Sequence, residues 1–310
     1  MKIAIFGSGG VGGYFGARLA QAGNEVHFVA RGRHLAAMRA NGLRVTSPLG
    51  EALIKPVHAH ERPAEIGPVD VVMFAVKLWD TPAAAEGLRP LVAGGGMVIP
   101  FQNGVESVEL LRKALGERPV MGGSAYIASR ISAPGVIEHI GQMCRLQFGP
   151  LLAEQRPAAE KFLAICKEAK INAELAEDVT RTIWEKFVFL VAVSSTTAAS
   201  RAPLGVVRGD PDLRWLFEQA MRETWSLGRA RGVKLADDFI PTRMKALDAL
   251  PHEMKASMAH DLEAGGRLEA PWLCGAVARM SAEAGLDAPV NRAVFAALKP
   301  YVDGSQRPAA

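Results

Sequence analysis

Residues Ile3 to Leu19 read IAIFGSGGVGGYFGARL, and glycine occupies Gly7, Gly9, Gly10, Gly12, Gly13 and Gly16 within that stretch. Glycine loses more conformational freedom on folding than any other residue, so such a cluster marks a place where the backbone must turn sharply or let another group come close. Ile3-Ala4-Ile5-Phe6 reads as a short buried strand, and Tyr14 to Ala22 as a helix with small residues along one side. Between them Gly7, Gly9 and Gly12 stand at G-x-G-x-x-G spacing, the arrangement of a dinucleotide-binding turn. There Gly7 permits the tight turn, Gly9 lets a pyrophosphate reach the main chain, and Gly12 lets the helix pack on the strand. Free N–H groups at the helix start receive the anion. Taken alone, the spacing fits a glycine loop with no ligand equally well. The strand before it, the helix after it and a second apolar run, Glu25 to Ala30, at the expected distance favour the nucleotide.

The end of that second run selects the cofactor. An NAD site sets Asp or Glu there, on the ribose hydroxyls, whereas this chain has Arg31-Gly32-Arg33-His34. A carboxylate would repel a 2′-phosphate, and a guanidinium grips it with paired charged hydrogen bonds. NADPH/NADP+ is therefore the expected cofactor, with Arg31 as the main phosphate ligand and Arg33 as the second. The plainer alternative is a pair of solvated surface arginines.

The chain has 310 residues, 49% of them hydrophobic and 22% charged. That is room for two ordinary domains in a globular protein, not a disordered or fibrous one. The net charge of +4 is spread without blocks of like sign, so it does not point to nucleic acid. Cys144, Cys166 and Cys274 are odd in number, far apart and outside any C-x-x-C spacing, which argues against a disulfide framework or a metal site. Packed thiols in a reducing cytoplasm are the expectation. Glycines through the first 22 residues make a poor signal-peptide helix, and no segment has the roughly 18 uninterrupted apolar residues of a membrane span.

The first half alternates short apolar runs with helix-like segments, the pattern of a parallel sheet covered on both faces. After the first two strands come Val69 to Val76 and Met97 to Phe101, each ending in a polar cluster where ligand groups gather in such sheets. Val120 to Gly123, Gly135 to His139 and Arg145 to Phe148 read as further strands, then a helix from Ala153 to Ala169, with Ile171 to Leu175 closing the sheet. Long amphipathic stretches follow: Val179 to Thr197, Asp212 to Arg231, Thr242 to Ala264, Trp272 to Ala284 and Asn291 to Leu298. The expected fold is an α/β Rossmann-type dinucleotide-binding domain over residues 1–177 and an all-α substrate domain over 178–310, with a cleft between them. The tail from Gln306 to Ala310 reads as frayed.

Several side chains could carry chemistry. Lys77 closes the third strand and Asn103 the fourth. Read singly, Lys77 is a solvated charge and Asn103-Gly104 a turn signal, but at a strand end facing a nicotinamide an amide can orient the ring. Lys186 lies inside the apolar helix Trp184 to Leu190. Either it snorkels to solvent, which spacing alone favours, or desolvation lowers its pKa and makes it a general acid. Glu269, in Gly265 to Pro271, reads by itself as a carboxylate in a break between helices.

These pieces in this order resemble the ketopantoate reductase family of NADPH-dependent oxidoreductases. The resemblance covers nearly the whole chain: GSGGVGGYFGARL, VARG, VKLWD, FQNGVES, WEKFVF, SMAHDLEAGGRLEAPWLCG and GLDAPVN. It implies that Lys186 gives a proton to the substrate carbonyl while the nicotinamide gives hydride. It implies that Glu269 holds the substrate, that Ser257 lies near the substrate carboxylate, and that Asn103 lies near the nicotinamide. Gly7, Ser8, Gly9, Gly10, Val11, Gly12, Arg31 and Lys77 fall on the cofactor side, and Ser194 joins the expected substrate contacts. A homodimer through the helical half is an expectation by analogy.

The chain departs from the family pattern where asparagines are usual, carrying Leu190 four residues after Lys186, Ser194 four further on, and Met254 three before Ser257. An apolar Leu190 and Met254 remove partners for a substrate hydroxyl, worth about 1–3 kcal/mol if left unpaired. The expected reaction is reduction of a 2-keto acid to a 2-hydroxy acid, with ketopantoate as the leading substrate. The alternatives are a related reductase for a more apolar keto acid, with Ser195 or Thr196 replacing the missing amides if the register differs, and a cofactor sensor without catalysis.

Overall fold

The computed structural model of the chain describes residues 1–304; the Gln306 to Ala310 tail lies outside the described residues. Two compact units divide the chain after Thr182.

In chain order the first unit begins β1 (Lys2–Phe6), α1 (Gly10–Gln21), β2 (Glu25–Val29), α2 (Gly32–Asn41), β3 (Leu43–Thr46), β4 (Ala52–Ile54) and β5 (His58–His60). It continues β6 (Val71–Phe74), α3 (Thr81–Glu86), α4 (Arg89–Val92), β7 (Met97–Pro100) and α5 (Ser107–Leu115). Then come β8 (Gly122–Ala133), β9 (Val136–Gly149), α6 (Arg156–Glu168) and β10 (Asn172–Leu175). A five-stranded sheet runs in the order β5-β2-β1-β6-β7, parallel throughout. β1 from Ile3 onward and β6 are apolar without interruption because both faces are covered. Alternate residues serve the two cores: Ile3 and Ile5 join one with Phe15 and Phe28, while Ala4 and Phe6 join the other with Phe74 and Val98.

The later strands do not extend that sheet, contrary to the sequence expectation. Val120 adds one isolated parallel bridge to Val98. From Gly122 the chain forms a long antiparallel β8–β9 hairpin in a second sheet, ordered β10-β9-β3-β4 with β8 on β9. Pairing of Ala133 with Val136 leaves only Pro134-Gly135 in the turn, with Gly135 at φ +79°, and antiparallel strands need no more than two linking residues. Residues Ile171 to Leu175 belong to this second sheet through β10, beside β9. The short strands β3, β4 and β5 have no counterpart among the expected elements, since three or four residues carry too little periodicity to register.

The second sheet explains the surplus glycines. Helix α1 starts at Gly10, four residues before the expected Tyr14, and packs between the sheets. A Cβ on Gly16 would fall 2.6 Å from Phe28 of the parallel sheet, and one on Gly13 would fall 2.7 Å from Ile137 of the hairpin. Close approach on both sides overrides the poor helix propensity of glycine.

The remaining helices are α7 (Val179–Ser200), α8 (Leu204–Gly209), α9 (Pro211–Ala230), α10 (Phe239–Asp248), α11 (Ser257–Glu263), α12 (Cys274–Glu283) and α13 (Pro289–Leu298). The expected single stretch from Thr242 to Ala264 is two helices, separated by a segment containing Pro251, which cannot sit inside a helix without loss of a hydrogen bond. Asp210 caps α9 by accepting from the Asp212 and Leu213 amides at 3.0 and 2.9 Å. Farther along α9, Glu223 accepts from the Val290 and Asn291 amides at 2.8 and 2.9 Å and so caps α13. Cys144, Cys166 and Cys274 are free thiols, the last two buried. Among the described residues no helix is long and apolar enough to cross a membrane, and no cluster of His, Cys, Asp or Glu could hold a metal ion.

Candidate active site

In the first unit, β2, β1, β6 and β7 are consecutive in the sheet and parallel, so their carboxyl ends share one edge. Gly7 follows β1, Arg31 follows β2, Lys77 follows β6 and Asn103 follows β7. Residues far apart in the chain thereby meet at the edge where doubly wound sheets bind ligands.

The glycine turn has the shape a dinucleotide needs. Gly7 adopts φ +101°, and a Cβ there would lie 2.7 Å from the main chain of Ala75 and Val76. Gly12 abuts the strand, since a Cβ would come within 2.2 Å of the Gly7 carbonyl. At Gly9 an added Cβ would meet no atom within 4 Å, and Gly9 is the N-cap of α1, with no side chain capping the helix and no acidic residue in its first turn. An open, uncapped helix start is an anion site. Gly10 is held close to the hairpin, with a Cβ 2.3 Å from the Ser129 carbonyl, while Val11 is half-buried. Buried Ser8 donates its hydroxyl to the Val29 carbonyl at 3.0 Å, fixing the turn to the end of β2.

Two further residues shape this edge beyond what the sequence predicts. His34 on α2 donates Nε2–H to the Ser8 carbonyl at 3.0 Å, and its Nδ1 accepts the Gly135 amide at 3.0 Å. Burial lowers its pKa, opposed by the bond to Ser8. A neutral imidazole with the proton on Nε2 satisfies both contacts, so His34 ties the glycine turn to the β8–β9 turn. Gln102, next in the chain to half-buried Asn103, donates from Nε2 to the Val76 carbonyl and to the Thr81 hydroxyl, both at 2.8 Å, joining the ends of β6 and β7. Neither role has a signature in local spacing. Arg31 donates Nη2–H to Asp80 at 2.8 Å, Arg33 is exposed, and exposed Lys77 places its ammonium 5.4 Å from the centre of the Trp79 ring.

In the second unit, Lys186 lies on α7 and Glu269 on the turn before the short 3-10 helix Ala270–Trp272. Glu269 is buried, 6% exposed, and its main-chain carbonyl accepts the Trp272 amide at 3.0 Å. The fold brings these two side chains together. Desolvation lowers the Lys186 pKa from 10.5 to about 8, and the Glu269 charge opposes that fall. Removing an ammonium from water disfavours its charged form, and a nearby carboxylate restores part of it. Lys186 as a whole residue is half-buried, but its ammonium does not snorkel to water, since burial of the charged group lowers its pKa.

Leu190 and Ser194 follow Lys186 at helical spacing, the first half-buried and the second buried. Thr196 and Thr197 turn their hydroxyls back to the Ala192 and Val193 carbonyls, each at 2.7 Å, which commits those donors to the helix. Ser257 is exposed at the first position of α11. The Ala256 amide before it reaches the Thr197 hydroxyl at a long 3.5 Å, and half-buried Met254 lies in the segment preceding α11.

Residues 3–152 match the family described as ketopantoate reductase PanE/ApbA, and residues 178–302 match its C-terminal family. A 2-dehydropantoate 2-reductase from Mesorhizobium japonicum is 30% identical over 320 residues, covering 96% of this chain and 97% of that one. The crystal structure of a PanE/ApbA family ketopantoate reductase from Ralstonia eutropha JMP134 is 31% identical with a TM-score of 0.88, covering 97% of this chain and 98% of that one. D-mandelate dehydrogenase, solved in a ternary structure with NADH and anilino(oxo)acetate, shares the fold at a TM-score of 0.89 and 19% identity, over 97% of this chain and 98% of that one. With both halves matched and relatives aligned over almost their full length, the chain belongs to the ketopantoate reductase family, oxidoreductases acting on a CH–OH group.

Proposed function

We propose that the protein reduces 2-dehydropantoate to pantoate with NADPH, as a cytoplasmic enzyme of pantothenate biosynthesis. The observation that carries this reading is Lys186, desolvated to a pKa of about 8 beside Glu269. A proton donor works best when its pKa lies near the working pH, and a surface lysine near 10.5 would release its proton reluctantly.

Gly9 and the first turn of α1 would hold the pyrophosphate, Arg31 the 2′-phosphate, and Lys77 and Asn103 the rest of the cofactor. When bound, the reduced nicotinamide supplies the hydride. As negative charge develops on the keto oxygen, the Lys186 ammonium stabilises it and transfers a proton, leaving a neutral amine that solvent reprotonates. Glu269 holds the substrate and keeps Lys186 protonated before the reaction, and Ser194 and Ser257 add polar contacts to the substrate.

Lys186→Ala should bind NADPH as the parent does, by nucleotide fluorescence, yet lose roughly a hundredfold or more in turnover. Near-normal turnover would point to another acid such as Lys77, whereas no turnover in the parent protein would leave a sensor. A second reading is favoured by Leu190 and Met254, apolar residues where the family usually carries hydrogen-bonding amides: the preferred substrate is a 2-keto acid without the terminal hydroxyl. NADPH oxidation across 2-keto acids with and without that hydroxyl separates the two readings, and a dominant kcat/KM for ketopantoate rejects the second.

A further inference from the structure

Arg31 does not face the cofactor edge alone. Its side chain is 73% exposed and gives one Nη2–H to Asp80 Oδ2 at 2.8 Å. Asp80 ends the 3-10 turn Leu78–Asp80 after β6, whereas Arg31 follows β2. Because β2 and β6 flank β1 on its two sides, the ion pair joins the strand ends on either side of the glycine turn. Asp80 also occupies the N-cap position of α3, yet its side chain makes no capping hydrogen bond. Its carboxylate is turned to Arg31 instead.

This edge therefore carries both chemistries that discriminate the two nicotinamide cofactors. A guanidinium is the usual partner of a 2′-phosphate and a carboxylate the usual partner of ribose hydroxyls. We infer that Asp80 is a specificity-determining residue, competing with the 2′-phosphate for the Arg31 guanidinium and thereby narrowing the preference for NADPH over NADH. This rests on the reading of Arg31 as the 2′-phosphate ligand. A phosphate monoester arrives with a charge of about −1.5 to −2, meets the Asp80 carboxylate across one guanidinium, and must share or displace it. A cofactor with a free 2′-hydroxyl leaves the ion pair intact and can donate to Asp80.

The test uses Asp80→Asn and Arg31→Ala in the full chain, with dissociation constants for NADPH and NADH from nucleotide fluorescence at low and at high salt. Asp80→Asn keeps the side-chain shape and an acceptor for Arg31 while removing the charge. It should tighten NADPH and leave NADH unchanged or weaker, raising the NADPH/NADH preference by roughly five- to tenfold at low salt. The gain should shrink at high salt, as expected for a partly exposed charge. If Asp80 serves only the local fold, both cofactors weaken together and the melting temperature falls, which overturns the inference. If Arg31→Ala abolishes the preference while Asp80→Asn leaves it unmoved, the competition fails and the reading of Arg31 stands. If Arg31→Ala leaves the preference intact, both fail.

Discussion

Replacing Glu269 by Gln should move the alkaline limb of the pH–rate profile to lower pH. Burial takes Lys186 from 10.5 to about 8, and the Glu269 charge is the force opposing that fall. An opposite charge within roughly 4–6 Å shifts a pKa by about 1–3. Since desolvation outweighs Glu269 here, the low end applies, and Lys186 in the Glu269→Gln variant should titrate at roughly 7. The proposed reduction consumes the Lys186 proton, so the rate is present below the lysine pKa and lost as pH rises through it. At about pH 8 the protonated fraction should then drop from about one half to about one tenth. The assay is kcat/KM for ketopantoate-dependent NADPH oxidation from about pH 6 to 10, which reports the free enzyme. Loss of substrate contacts in the glutamine variant would scale the plateau without moving the limb, so the midpoint is the quantity that decides. A limb that stays at its parent position, or moves upward, refutes the electrostatic coupling of the two residues.

Three other outcomes follow from the same geometry. Gly9→Ala should keep its melting temperature, because no atom lies within 4 Å of the added methyl, and lose NADPH affinity; Gly12→Ala, with a methyl 2.2 Å from the Gly7 carbonyl, should lose about 1–3 kcal/mol or more of stability in denaturant titration. His34→Ala removes the tie between Ser8 and Gly135 and should weaken NADPH binding about tenfold by fluorescence titration. Lys186 binds its proton more weakly folded than unfolded, so its contribution to stability rises with pH between about 8 and 10.5. The fall in pKa corresponds to about 3 kcal/mol, and Lys186→Met should remove that rise from the difference between the two stability curves.

Much of the first unit was legible because its signals are local. The Gly7, Gly9, Gly12 spacing, the apolar run before it and the helix after it lie close together in the chain, and each of the three glycines meets the steric situation its spacing implies. Helices α9, α12 and α13 likewise repeat their apolar residues at helical spacing, so their existence could be read and their ends placed within a few residues. The site residues at the ends of β1, β2, β6 and β7 could be placed because a parallel sheet of this pattern has one ligand edge.

Only the tertiary structure decided the rest. Pro134-Gly135 looks like any loop until β8 and β9 pair across it, and the second sheet, which demands Gly13, is built from strands as short as three residues. His34 and Gly135 are 101 residues apart, and Arg31 and Asp80 are 49 apart. Lys186 by its own spacing is a snorkelling lysine. Its acidity comes from the protein packed around the ammonium, tempered by Glu269 on a distant turn. Periodicity reports which face of an element is buried, but a proton affinity or an ion pair depends on which atoms of remote segments arrive at that face, and no local pattern in the chain encodes that arrival.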